Sequence, residues 1–386
     1  MKFFLTLSVA FITLASYSQD MLYARHLIDT LASPAFWGRG YTKQGMAKAA
    51  DFIEAEFRKA GLHGFSEKFQ QPFTYPVNTF PGKMMLSIDG KQMIPGIDFI
   101  VSPESRGLKA SGKLIQQDSI RFFDRKNKIE VILRNKLTWS VLNETSPYTR
   151  IELDRRKVSK HPSRVAVDIE NKFIPKFNAT NVCGYVKGTT HADSLLVITA
   201  HYDHLGGMGA DTYFPGANDN ASGVALLIEL AKYYAKNPIQ YSIAFIAFGG
   251  EEAGLRGSAY FVQHPLFPIE KIRFLTNLDL TGTGDDGIAV VNAQVFKREF
   301  AMFSEINQSQ KLFTQVKARG KAANSDHYWF TELGVPSFFI YAMGGIQAYH
   351  DVNDKAETLP LTEFQDLFRL ITGFNEKLVH NRSRKF

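Results

Sequence analysis

Ser194-Leu195-Leu196-Val197-Ile198-Thr199-Ala200-His201-Tyr202-Asp203 is a near-unbroken apolar run that ends on an imidazole and a carboxylate. It is too short for a typical helix, and its β-branched content favours a strand. An apolar run without polar alternation suits a strand covered on both faces. Three later stretches have the same character: Tyr241 to Phe248, Ile272 to Leu278 and Pro336 to Tyr341. Helical periodicity lies between and after them. Val224, Leu227, Ile228 and Ala231 share a stripe within 221–235, and Phe364, Leu367, Phe368, Ile371 and Phe374 share one within 361–378. The alternation predicts an α/β fold. A mostly parallel twisted sheet carries helices on both faces, with functional groups at the carboxyl ends of its strands.

Outward from this block, 181–386 reads as the α/β domain and 20–79 as its helical amino-terminal part. Met46, Ala49, Ala50, Ile53, Phe57 and Ala60 recur at helical steps, and Gly61 is placed to stop that helix. Residues 80–180 differ. Turn pairs such as Asp89-Gly90 and Pro95-Gly96 punctuate short β-type runs, which predicts a small β-rich insertion or lid. At the start, Lys2 precedes an apolar run from Phe3 to Ala15, followed by Ser16-Tyr17-Ser18. That pattern predicts a signal peptide over 1–18 and an exported protein, periplasmic or secreted. The run is too short for a comfortable span, so no stable membrane anchor is expected.

The chain has 386 residues, 45% of them hydrophobic, and a net charge of +7. Its basic residues are dispersed except for the run at 154–161, which reads as a solvated face, so nucleic acid is not an expected partner. The single cysteine, Cys183, rules out an internal disulfide and reads as a buried, inert thiol.

Five short motifs bring candidate ligands to strand or turn ends: His201-Tyr202-Asp203, Asn218-Asp219-Asn220, Glu251-Glu252, Asp279 and Tyr349-His350-Asp351. Their spacing is too long for a finger or a helix-borne site, so only a folded sheet can gather them. Two imidazoles and several carboxylates suit a pair of divalent cations. Taken singly, each has a plainer reading. His201 can be a satisfied polar residue, Asp219 a helix cap, and Glu251-Glu252 an exposed helix start. Taken together, adjacent carboxylates behind a buried strand need compensation. One would bind a cation while the other takes a proton from the attacking water. Asp203 is placed to orient His201.

In order and context these stretches resemble the zinc exopeptidases of peptidase family M28. The resemblance is carried by 199–206, 216–223, Phe248 to Ser258, Asn277-Leu278-Asp279, Ser325-Asp326-His327 and the flanks of His350. It implies two zinc ions. His201 and Asp279 would hold one, Glu252 and His350 the other, and Asp219 would bridge them. Glu251 would be the general base, and Asp203 would steady His201. It further implies hydrolysis of amino-terminal peptide bonds, with peptides as substrates. Glutaminyl cyclase, carboxypeptidase or dipeptidase, and a non-catalytic module on the same fold are the alternatives. One departure stands out. Some members carry a Tyr three residues before Ser-Asp-His to stabilise the oxyanion, and here the position is Ala322. Zinc or another donor would replace it, with Tyr202, Tyr341 and His327 as candidates. A substrate carboxylate would instead need a nearby cation, for which Arg256, Arg319 and Lys321 are the residues to watch.

Overall fold

Alternate residues of the strand His191–His201 face two different cores. Leu196, Ile198 and Ala200 pack into the larger one, and Leu195 and Val197 into the smaller one on the opposite face. This is the period-two geometry of a strand, applied to a sheet covered on both sides. The helix Gly223–Lys236 lies over the first face. On the second face Phe261 and Phe330 meet Val197, Ala244, Ile246 and Phe248. Ile198 is fully buried, and truncating it to Ala would cost about 2–5 kcal/mol.

The structure is a computed structural model, and it describes residues 20–65 and 67–380. The leader expected over 1–18 lies outside the described residues. Among the described residues, no helix is long and apolar enough to cross a membrane.

Among the described residues, the main sheet has nine strands. Its centre is parallel, in the order Tyr241–Phe248, His191–His201, Ile272–Asp279 and Ser337–Ala342. The outer pairings make the sheet mixed. Lys172–Val186 joins one side antiparallel, and Ile288–Val291 joins the other antiparallel. The four central strands are those whose apolar runs are legible. The short strands Ile288–Val291 and Val316–Ala318 escape the sequence reading because they offer too few residues for a pattern.

The amino-terminal part forms helices Met21–Leu31 and Gly45–Ala60. The second ends where Gly61 adopts φ +86°, a conformation that favours glycine. That part also contributes the strand Gln70–Thr79, which pairs with Lys172–Val186. Between this pair the chain builds a five-stranded and a four-stranded sheet, from Met84 to Ile169. The return strand belongs to the main sheet from Lys172 to Val186, with a register shift between Ile174 and Phe177 in its pairing to Gln70–Thr79. Cys183 lies on it, fully buried among apolar side chains that push its thiol up from the ordinary value.

Candidate metal centre

Register puts the candidate ligands side by side. Ala200 is paired with Leu278 and His201 with Phe248, in parallel ladders. His201 and Asp279 therefore end adjacent strands, and Glu251-Glu252 emerge just past the third. Asp219 comes from the turn Ala217–Ser222 ahead of its helix, with a cis peptide to Asn220. His350 arrives on the loop after the strand Ser337–Ala342.

Asp219 divides its two oxygens between the two imidazoles. Oδ1 lies 3.4 Å from His201 Nε2, and Oδ2 lies 3.0 Å from His350 Nε2. His201 Nε2 is also 3.4 Å from Asp279 Oδ1, and His350 Nε2 is 3.3 Å from Glu252 Oε2. Most of these gaps are longer than good charge-assisted hydrogen bonds. Two donors on one tetrahedral zinc stand about 3.3 Å apart, given the usual bond lengths. Asp279 Oδ1 is buried and lacks a hydrogen-bond partner among the described residues. The donor set thus fits two zinc ions: His201 and Asp279 would hold one, Glu252 and His350 the other, with Asp219 between. Each imidazole offers Nε2, because each Nδ1 is engaged by a backbone carbonyl. That of His201 faces Asp203 O at 3.1 Å, and that of His350 faces Trp139 O at 2.9 Å. A ring nitrogen facing a carbonyl must carry the proton, which leaves the other free to ligate.

Asp203 acts differently from the expectation that its carboxylate orients His201. That carboxylate stands 3.8 Å from His201 Nδ1 and instead accepts the backbone N–H groups of Glu251 at 3.0 Å and Glu252 at 3.3 Å. Its carbonyl orients the imidazole and its carboxylate holds the glutamate turn.

The field inside the centre is strong. Burial raises the Glu251 carboxyl well above its ordinary range, and Glu252, Asp326 and Asp279 add to the rise against the pull of His201. Burial pushes Glu252 up as well, but His350 and His204 overcome it and hold the group down to about 2. The two adjacent carboxyls are thus driven in opposite directions, Glu251 up and Glu252 down. Glu251 also offers an oxygen within 4.8 Å of the ligand atoms of His201 and Asp279.

Three supporting residues were not assigned roles from sequence. His204, fully buried, faces Glu252 Oε1 with Nδ1 at 2.9 Å. It fixes one oxygen of that carboxylate and leaves the other toward His350. Arg39, also fully buried, donates to the carbonyls of Leu31, Tyr202, Pro215, Gly216 and Asp219. It pins the Asp219 turn from beneath. Tyr349 stacks on His350 at 4.0 Å, is 44% exposed, and feels Asp219, Glu252, Asp279 and Glu251. Partial burial and those carboxylates raise its phenol above the ordinary value. An aromatic next to a candidate ligand histidine was the available signal.

The three oxyanion candidates read from sequence are engaged or buried, although Tyr341 is paired with Asp279 in the sheet. Tyr202 is buried with its hydroxyl on Thr180 O at 2.7 Å, and Tyr341 meets Arg319 Nη1 at 2.6 Å. His327 is buried against Phe339, and burial lowers it to about 4.

The sequence profile of peptidase family M28 matches residues 181–374. The chain belongs to peptidase family M28. Aminopeptidase YwaD of Bacillus subtilis is 30% identical over 195 residues, which is 48% of this chain and 41% of that protein. The chain thus spans less than half the length of that relative. Among solved structures, a zinc aminopeptidase from Bacillus subtilis superposes with a TM-score of 0.70 at 19% identity, covering 95% of this chain and 97% of that one. A glutaminyl cyclase from an Acidobacteriales bacterium superposes with 0.56 at 16% identity, covering 99% of each. At these identities the superpositions establish the family fold.

Proposed function

We propose that this M28 protein is an exported zinc aminopeptidase that holds two ions and cleaves amino-terminal peptide bonds. The observation that carries the reading is the split of the Asp219 carboxylate between His201 and His350, each of which has a second carboxylate at 3.3–3.4 Å. Zinc, when bound, supplies Lewis acidity that polarises a carbonyl and acidifies water. The chain supplies the rest. Glu251, whose carboxyl is raised by burial, takes the proton of the attacking water and returns it to the leaving amine. Tyr349 donates its hydroxyl to the oxyanion as it develops, in place of the Tyr absent at Ala322. Peptides with a free α-amine are the natural substrates, because the centre is ringed by carboxylates.

The cations that would favour a substrate carboxylate are engaged elsewhere. Arg256 donates to Ala253 O at 3.0 Å, Lys321 pairs with Glu332, and Arg319 meets Tyr341. The complete donor set supports hydrolysis over the cyclase alternative. Export rests on the apolar run behind Lys2.

The test is a panel of dipeptides offered to the zinc-loaded protein, with free, amino-acetylated and carboxy-amidated ends. Free-amine and amidated peptides should be cut and acetylated ones spared. Equal or better cleavage of acetylated peptides with a free carboxyl end would overturn the aminopeptidase assignment.

A further inference from the structure

The β-rich insertion meets the loops of the metal centre at the irregular segment 136–143, and Gly96 also packs against Val352 beyond His350. Residues 136–143 link its strands Ile129–Arg134 and Thr149–Asp154. Trp139 and His350 exchange hydrogen bonds: Trp139 N donates to His350 O at 2.9 Å, and His350 Nδ1 faces Trp139 O at 2.9 Å. Lys136 Nζ donates to Gln347 O at 2.8 Å and stands 3.6 Å from Asp351 Oδ2. At the other end, Asn143 Nδ2 donates to Ala253 O at 2.9 Å, one residue past Glu252. One strap therefore hydrogen-bonds both the loop that carries Glu252 and the loop that carries His350. No comparable contact from it to the strand ends carrying His201 and Asp279 is found among the described residues.

The strap is itself anchored. Trp139 is 4% exposed, its Nε1 donates to Val101 O at 2.7 Å, and its ring stacks on Phe214 at 4.7 Å. His350 needs such support because its φ is +53°, a conformation that L side chains adopt at a cost. The Trp139 carbonyl also selects the tautomer, which leaves Nε2 for the ligand role. By contrast, His201 and Asp279 end strands of the main sheet, whose ladders fix them without help from the insertion.

We infer that residues 136–143 are a positioning strap that sets zinc affinity at the Glu252–His350 site and leaves the His201–Asp279 site unaffected. The inference rests on the two-zinc reading above. Docked, the strap presets both loops, so little ordering remains to be done when the ion arrives. Released, it leaves a one-zinc protein with an intact sheet. The insertion is then part of the metal centre rather than a detached lid.

The test is calorimetric titration of the metal-free full chain with zinc, for the wild type and for Trp139→Ala, Trp139→Phe and Lys136→Ala. The wild type should bind two ions. In Trp139→Ala the first should bind as in the wild type and the second about 10- to 100-fold more weakly. Trp139→Phe keeps a stacking ring and should restore part of that loss. Lys136→Ala, which removes a half-exposed side chain, should weaken the second step alone by a smaller factor, and it carries the test should Trp139→Ala fail to fold. Cobalt absorption at each equivalent gives a readout independent of turnover. Unchanged binding, or equal weakening of both steps, would overturn the strap. A wild type that binds fewer than two ions would instead overturn the reading beneath it.

Discussion

The carboxylate of Asp203 accepts the backbone N–H of Glu251 at 3.0 Å, while the carbonyl of the same residue faces His201 Nδ1 at 3.1 Å. One buried residue therefore positions both the His201 imidazole and the Glu251 turn. Asp203→Ala should loosen the glutamate turn, since the N–H groups of Glu251 and Glu252 lose their acceptor, while the main-chain carbonyl facing His201 remains. Zinc affinity should fall about 10- to 100-fold, measured by competition with a chelator. Affinity equal to the wild type would show that the turn holds itself.

Glu251 and Tyr349 are expected to separate from the ligands in their effects. Glu251→Gln should keep both ions and the fold while turnover falls by about two to four orders of magnitude. Tyr349→Phe should also keep both ions and lower kcat about 100-fold with little change in KM. Glu252→Gln should behave unlike either and lose one ion. Metal loss in Glu251→Gln, or full activity in Tyr349→Phe, would reject the assigned role.

The pH response follows from protons that the metal-free centre keeps. Although burial opposes it, Glu252 and Asp219 push His350 up from 6.5 to about 11, so the folded chain holds a proton the unfolded chain has lost. That stabilisation is complete below about 6.5 and is lost as pH rises through about 11. Burial pushes Asp203 and Asp354 up from 3.8 to about 7, so they too favour the protonated fold and lose that advantage as pH rises to about 7. Zinc binding runs the other way, because ligands must release protons to the solvent. The rise in Tm caused by zinc should therefore be larger at about pH 8 than at about pH 6. An equal or smaller rise at the higher pH would contradict this balance.

The sequence carried the centre of the fold better than its margins. Strands such as Tyr241–Phe248 are buried along nearly their whole length, so composition alone marks them. Lys172–Val186 is exposed or half-buried over its first seven residues and buried over most of the rest, so no single pattern marks it as one strand. The candidate ligands stood out because carboxylates and imidazoles at the ends of apolar runs are costly without compensation. Arg39 did not, since a guanidinium that serves five backbone carbonyls leaves no side-chain partner in the sequence to find. His204 lay inside a quoted motif, but its role depends on a contact across 48 residues to Glu252. The strap at 136–143 has no pattern at all. Its contacts to the His350 loop are largely made through main-chain atoms, which composition cannot reveal.

The central claim is two zinc ions on either side of Asp219. An anomalous difference map at the zinc edge, from crystals of the zinc-loaded protein, tests it most directly. Two peaks are expected, one contacting His201, Asp279 and Asp219 Oδ1, the other contacting His350, Glu252 and Asp219 Oδ2. A single peak, or a second peak on His204 in place of His350, would contradict the account.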